Sequence, residues 1–330
     1  MIRSSYHALA GLVVAAALVS PTVSPTVSPA LDHVVQTGVE RPRHCFEPAR
    51  HGAAPGDAAR SVNPRSGDHR TITAAQQRAI DARTRALLAR RTVSTTDRVT
   101  VPVYVHVMTS RTGAGNVSDT RIRSQVAVLN KTYAGEDPDG TTSPDTGPDT
   151  GPETGPDTGF RFRLAGIDRF RNSTWHADGD SETYRSKTRR GGRTALNVWL
   201  VDFDYLGIAT FPWDDASAPA IDGVRIQFSS LPGGSAAHYA EGKTLTHETG
   251  HWLGLFHTFQ DGCSSPGDEV ADTPAQASPS TGCPEGRDSC SAKGLDPIHD
   301  YMDYSYDACY RSFSPGQVTR MKQMWTAYRK

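Results

Sequence analysis

Long apolar runs are nearly missing from this chain of 330 residues. The one candidate, Ala8 to Val19, is too short to span a bilayer. Mean hydropathy is −0.50, which excludes a polytopic membrane protein. A charge excess of either sign is missing too, with 35 Lys and Arg against 36 Asp and Glu. A dedicated nucleic-acid binder carries a basic surplus, so that class is excluded as well. Cysteine is sparse, with 5 in the chain. Four of these cluster between Cys263 and Cys309, and Cys45 stands far from them.

The balance of charge hides an asymmetry. Residues 31–91 hold 11 basic and 6 acidic side chains, whereas residues 92–330 hold 23 basic and 30 acidic ones. A basic leader docked on an acidic body has this pattern. Ahead of it, Met1-Ile2-Arg3 followed by Ala8–Val19 reads as a secretory signal, with the alternative of a short buried helix. The expected organisation is therefore a signal peptide over 1–30, a pro-region over 31–91 and a catalytic domain over 92–330. Ala30 marks the guessed signal cleavage point and Arg90-Arg91 a processing site. Export places the cysteines in an oxidising compartment. The clustered four, Cys263, Cys283, Cys290 and Cys309, suggest two disulfides, and spacing alone leaves all three pairings open.

Residues 31–70 are rich in Pro, Gly, Ala and Arg and carry no clear element. Thr73 with Gln76 forms a capping box, which predicts a helix from Thr73 to about Arg90. Valines alternate from Val99 to Val107 and predict a strand over Val99–Met108. Ser118 caps a helix over Asp119–Tyr133, with Ile122, Val126, Leu129 and Tyr133 on its apolar face. Residues 144–159 are four copies of Pro-(Asp/Glu)-Thr-Gly. With no apolar residue to bury, they read as a flexible acidic insert, with calcium binding as a minor alternative. Strands are predicted over Phe160–Gly166, Leu196–Val201, Gly207–Phe211 and Val224–Phe228, and a helix from about Gly242 to Leu255. Residues 258–310 show little periodicity and read as irregular structure tied by disulfides. Ser314 and Pro315 open a last helix to about Arg329. Asn116, Asn130 and Asn172 match the glycosylation pattern, which is common by chance.

His247-Glu248-Thr249-Gly250-His251 falls within the Gly242–Leu255 helix. Residues four apart share one helical face, so both imidazoles can reach one ion. Glu248 points about 100° away, towards a water rather than the metal. Gly254 can take the left-handed conformation that ends a helix and swings His257 back as a third ligand. Three histidines leave a fourth tetrahedral corner open, which marks a catalytic rather than a structural zinc. Downstream stands Asp300-Tyr301-Met302-Asp303-Tyr304.

Together these residues resemble the metzincin zinc endopeptidases. Met302 would form the methionine turn beneath the zinc, and Tyr304 would stabilise the tetrahedral intermediate, with a packed aromatic as its alternative. Leu245–Glu248, Gly267–Gln276, Tyr301–Tyr304 and Gly207–Pro212 are similar to the pappalysin family in particular, over about residues 95–325. That resemblance implies an α+β fold. An upper subdomain would hold a twisted mixed sheet and the active-site helix. A smaller, irregular, disulfide-tied lower subdomain would hold the C-terminal helix.

The resemblance further implies Cys263–Cys290 and Cys283–Cys309 disulfides, and an edge strand at 207–211 that pairs with an extended peptide. Asp268 and Asp272 become candidate ligands of a structural calcium, a capped acidic turn being the alternative. Some metzincin precursors are held latent by a leader cysteine on zinc, a role that Cys45 could fill beside Arg41 and Arg43. Two departures stand out. Asp300 replaces the Asn usual before Tyr-Met-Asp-Tyr. Ala308 stands where arginine-preferring relatives carry an acid, with Asp307 one residue earlier.

The expected function is a secreted zinc endopeptidase with Glu248 as general base, acting on proteins or peptides. It needs no nucleic acid and, once mature, no membrane. Its own pro-region would serve as inhibitor, and nothing demands an oligomer, so a monomer is expected. The alternatives are a catalytically silent zinc-binding adhesion or interaction module with the same fold, and a zinc hydrolase of other substrates.

Overall fold

The computed structural model describes residues 72–137 and 155–330. The signal segment, Cys45, the leader up to residue 71 and most of the acidic repeat lie outside the described residues.

Alternating valines build the central strand β1 (Val99–Thr109). Val101, Val103, Val105 and Val107 are all buried. Beside it runs β2 (Phe160–Arg171) on one side and β3 (Leu196–Val201) on the other, both parallel to β1. Next come β5 (Val224–Gln227), parallel to β3, and β4 (Gly207–Ala209), antiparallel to β5. The order is β2-β1-β3-β5-β4, so β4 is the edge strand at one end of a mixed sheet. Parallel neighbours require crossovers, and α2 (Asp119–Tyr133) lies in the one between β1 and β2. Its Ile122, Val126, Leu129 and Tyr133 pack into the same core as the β1 valines and Leu245.

β2 extends five residues beyond the predicted Gly166. Its register against β1 skips at Ala165, because Val103 faces Leu164 while Tyr104 faces Gly166. The skip flips the side-chain alternation midway, which hides the second half from a period-two reading. Two short helices, α3 (Ser173–His176) and α4 (Ser181–Thr188), were not predicted. Both are polar and too short to show an apolar stripe. Asn130 has little freedom to carry a glycan. Its side-chain amide donates to Phe162 O at 2.8 Å and accepts from Phe162 N at 2.8 Å, stitching α2 to β2.

The active-site helix α5 (Lys243–Trp252) crosses under the sheet with every residue buried. Its C-terminal end is held by a buried ion pair. Arg329 Nη1 lies 3.0 Å from Asp222 Oδ2, the guanidinium also donates to Trp252 O at 2.9 Å, and its carbon sits 3.6 Å above the Trp252 ring centre. The helix α6 (Pro315–Met324) continues as one wide turn over Trp325–Arg329, and this brings Arg329 to that point.

Between α5 and α6 the chain has almost no regular structure. Two disulfides tie it, Cys263–Cys290 and Cys283–Cys309. The helix α1 (Ala74–Leu88) starts with the Thr73–Gln76 capping box and lies on the C-terminal segment. Ile72, Trp213, Phe256, Met324 and Tyr328 form one cluster there. Thr84 Oγ1 and Tyr328 Oη share a hydrogen bond of 2.9 Å.

Candidate active site

Three imidazoles converge at the C-terminal part of α5. The Nε2 atoms of His247 and His251 are 3.1 Å apart, those of His251 and His257 3.0 Å, and those of His247 and His257 3.3 Å. Two of the rings are oriented from behind. His247 Nδ1 donates to Tyr301 O at 2.7 Å, and His251 Nδ1 donates to Leu255 O at 2.8 Å. A carbonyl can only accept, so each Nδ1 carries the proton and each Nε2 presents a lone pair. Burial lowers the pKa of His247 well below its usual value, and that of His251 to about 4. Both are therefore neutral imidazoles at physiological pH. The third ring, His257, is stacked on Phe259, centre to centre 4.7 Å and nearly parallel.

The His247 and His251 lone pairs cannot satisfy each other, and with the His257 nitrogen beside them a cation is what such a cluster fits. A tetrahedral ion with bonds of about 2.0–2.1 Å sets its nitrogens about 3.3 Å apart. The observed separations match that spacing, and three neutral imidazoles are a donor set suited to zinc. Among the described residues one other cluster has the right atoms, Cys283, Glu285, His299 and Cys309. Its two sulfurs are bonded to each other, so they are not available as thiolates.

The surroundings of the triad depend on glycines that the motif does not advertise. Gly254 takes φ +95°, and a Cβ there would meet Met324 Cγ at 2.5 Å. It ends α5 and allows Leu255 and His257 to fold back. A Cβ on Gly250 would meet Met302 Sδ at 2.4 Å, so the methionine presses directly on the helix backbone between the two ligating positions. A Cβ on Gly207 would meet Glu248 Cγ at 2.4 Å. The Glu248 side chain therefore lies against the edge strand β4. Gly207 and Gly250 were not singled out from sequence, because their value is in what approaches them from a distant segment.

Tyr304 lies on the other flank. Its ring is 4.9 Å from that of His257 and 5.7 Å from that of His247. Beside it opens a small recess, lined by Leu206, Tyr239, His247, Tyr304 and Asp307 among others. The carboxyl of Asp307 is buried there and its pKa is pushed up to about 7 by that burial. Ala308, the next residue, is exposed.

Asp268 and Asp272 do not converge with a third acidic or imidazole ligand among the described residues. Asp268 accepts from Thr273 Oγ1 at 2.7 Å and from Val270 N at 3.1 Å. Asp272 accepts from Ser314 Oγ at 2.7 Å and Gly316 N at 2.8 Å, at the start of α6. The first closes a turn and the second caps a helix. His106, His176, His238 and His299 stand apart from the triad. His106, for example, is buried against Asn197, its Nε2 2.9 Å from the amide oxygen.

Asp300 shows how an acid can stand where the resemblance implies an amide. Its Oδ1 accepts from Met302 N at 2.7 Å and from Gln317 Nε2 at 3.0 Å. Burial nevertheless pushes its pKa up to about 8, with Asp268 and Asp303 adding to the rise. At neutral pH it is a neutral acid with one accepting oxygen, much like an asparagine.

A pH dependence follows. Between an unfolded pKa of about 4 and a folded value of about 8, the native state holds the extra proton, so stability falls as pH rises through that window. Asp300→Asn keeps the acceptor and removes the titration. It should raise Tm, with a gain that grows between about pH 5 and pH 8, by at most about 1.4 kcal/mol per pH unit. Thermal unfolding at both pH values tests this, and an equal gain at both ends contradicts it.

Comparison with known proteins agrees with the geometry. Residues 198–326 match the peptidase M43 family, described as pregnancy-associated plasma protein-A. An extracellular metalloprotease of Neurospora crassa is 45% identical over 239 residues, covering 70% of this chain and 76% of the relative. One from Arthroderma benhamiae is 40% identical over 244 residues, covering 72% and 75%. Among solved structures, a promirolysin variant of Tannerella forsythia superposes with a TM-score of 0.66 at 31% identity, covering 77% of this chain and 90% of that one. Mature mirolysin from the same organism, in complex with a cleaved peptide, gives 0.60 at 34% identity, covering 69% and 91%. This chain belongs to the peptidase M43 family, the pappalysin group of the metzincin metallopeptidases, and is an extracellular metalloprotease.

Proposed function

We propose that His247, His251 and His257 hold one zinc ion and that Glu248 is the general base of a secreted endopeptidase. The observation that carries this is the convergence of three imidazole Nε2 atoms within 3.3 Å of one another. When bound, zinc supplies Lewis acidity, which lowers the pKa of water towards about 7 and polarises a carbonyl. The remaining steps belong to the chain. An extended peptide pairs with the edge strand β4, main chain to main chain. Glu248 lies beside that strand, so it takes the proton from the attacking water and returns it to the leaving amine. The Tyr304 hydroxyl donates to the oxyanion as the tetrahedral centre forms. Met302 supports the floor of the site against Gly250. The recess beside His247 and Tyr304 receives a substrate side chain, and Asp307 sets its polarity.

The cleaved peptide held by mature mirolysin supports a peptide substrate. Calcium stays outside this reading, because Asp268 and Asp272 are engaged as turn and cap acceptors.

The same reading extends to the leader. Residues 1–30 direct export and 31–91 act as a pro-region, with Cys45 as a zinc ligand that keeps the precursor latent. Its support is the position of α1. Gln77 Nε2 donates to Gly267 O at 2.8 Å, and Gln260 Nε2, three residues past His257, donates to Ile72 O at 2.8 Å. Ile72, the first described residue, therefore lies beside the loop that carries the third imidazole.

Two experiments test these assignments. Glu248→Gln should retain stoichiometric zinc while kcat on a peptide falls by at least about 1,000-fold, within the range of lost acid–base catalysis. Activity within about tenfold of wild type would remove Glu248 as the base. Cys45→Ala in the full-length precursor should show peptidase activity before any processing, read by following peptide cleavage and precursor mass together. A precursor that stays as silent as wild type would rule out the thiol as the latency device.

A further inference from the structure

The loop of the third imidazole and the turn of Tyr304 meet at one buried amide. Gln276 has no solvent-exposed surface, and Thr258 and Asp303 are buried with it. Its Oε1 accepts from Thr258 Oγ1 at 2.7 Å. Its Nε2 donates to Asp303 Oδ1 at 3.0 Å, to Ser278 O at 3.0 Å and to Ser280 Oγ at 3.1 Å. The orientation of the amide is fixed by chemistry. A carboxylate and a carbonyl accept, so the nitrogen must face them and the oxygen must face the threonine hydroxyl.

Each partner is one residue from a site group. Thr258 follows His257, and Asp303 precedes Tyr304. His257 lies beyond the end of α5 on an irregular segment. Tyr304 sits on a turn with no regular secondary structure. The two segments meet through a backbone bond, Thr258 N to Met302 O at 3.3 Å, and through the Tyr304 ring, whose centre is 4.9 Å from those of His257 and Phe259. The Gln276 bonds add a buried polar link between the two segments, and catalytic groups depend on locked supports of that kind.

We infer that Gln276 is a positioning residue that sets the separation between His257 and Tyr304, and through them the third zinc ligand and the oxyanion donor. This rests on the zinc peptidase reading above. It has two arms. The Thr258 arm holds the loop of His257 and so acts on metal retention. The Asp303 arm holds the turn of Tyr304 and so acts on the chemical step. Buried polar networks of this kind help to specify one geometry, and their outer members commonly carry about 10–100-fold of metal affinity or activity.

The test uses the processed wild-type enzyme, Gln276→Ala and Thr258→Val. Three quantities are read: zinc affinity by competition with a chelator of known strength, kcat and KM on a peptide with zinc saturating, and Tm of the zinc-free protein. Gln276→Ala should weaken zinc by about 10–100-fold and lower kcat by a similar factor, with KM within about twofold of wild type. Thr258→Val cuts one arm. It should weaken zinc by about tenfold and leave kcat of the zinc-saturated enzyme near wild type.

A Gln276→Ala protein with a lower Tm but unchanged zinc affinity and kcat would make Gln276 a structural residue only and overturn the inference. Should Gln276→Ala fail to fold, Thr258→Val decides, and wild-type zinc affinity in that variant overturns the inference equally. A wild-type enzyme that binds no zinc is a separate outcome, seen before any variant is made, and it defeats the metal reading itself.

Discussion

Three imidazole nitrogens aimed at one point are the constraint on which the rest of the site depends. In an apolar interior such an arrangement is unfavourable by itself, because the His247 and His251 lone pairs face each other and neither can donate. The protein imposes it by securing the far side of the rings. Tyr301 and Leu255 each offer a backbone carbonyl to an Nδ1–H, and Phe259 stacks on the third ring. Burial removes the other escape, protonation, by lowering the pKa of His247 and His251. A divalent ion resolves the conflict, and stabilisation gained on its binding offsets the cost of holding the imidazoles neutral and close.

The scaffold serves that constraint through close backbone approaches rather than through bulk. Gly250 lets Met302 press on α5, Gly207 lets Glu248 lie against β4, and Gly254 lets the chain double back towards His257. The C-terminal end of α5 is anchored by the Asp222–Arg329 pair, with Trp252 bonded to both. Removing one member of such a pair leaves an uncompensated buried charge, so the pair acts as a lock rather than a simple source of stability. The lower part has little regular structure, and its shape comes from two disulfides and a web of side-chain hydrogen bonds, with Gln276 and Asp303 near its centre.

Much of this was legible in the sequence because the chemistry is local. His247 and His251 lie one helical turn apart, and Gly254 and His257 follow within the same short segment, so pattern alone reports the triad. Alternating valines report β1, and Thr73, Ser118 and Ser314 report three helix starts through their caps. What escaped was non-local. β2 changes phase at Ala165, and a period-two reading stops there. The roles of Gly207 and Gly250 exist only because Glu248 and Met302 arrive from elsewhere in the chain. Gln276 reads as an ordinary polar residue until Thr258 and Asp303 are seen on either side of it. Asp300 looks like a charge in the sequence and behaves as a neutral acid in the fold, a difference that burial alone creates.

The central claim is that the three imidazoles together grip a single zinc ion. Zinc-edge X-ray absorption on the purified, processed enzyme tests it most directly. The account predicts one zinc per chain with three imidazole nitrogens at about 2.0–2.1 Å and a fourth, oxygen ligand. A protein free of tightly held metal, or a zinc whose shell contains sulfur or fewer than three imidazoles, contradicts it.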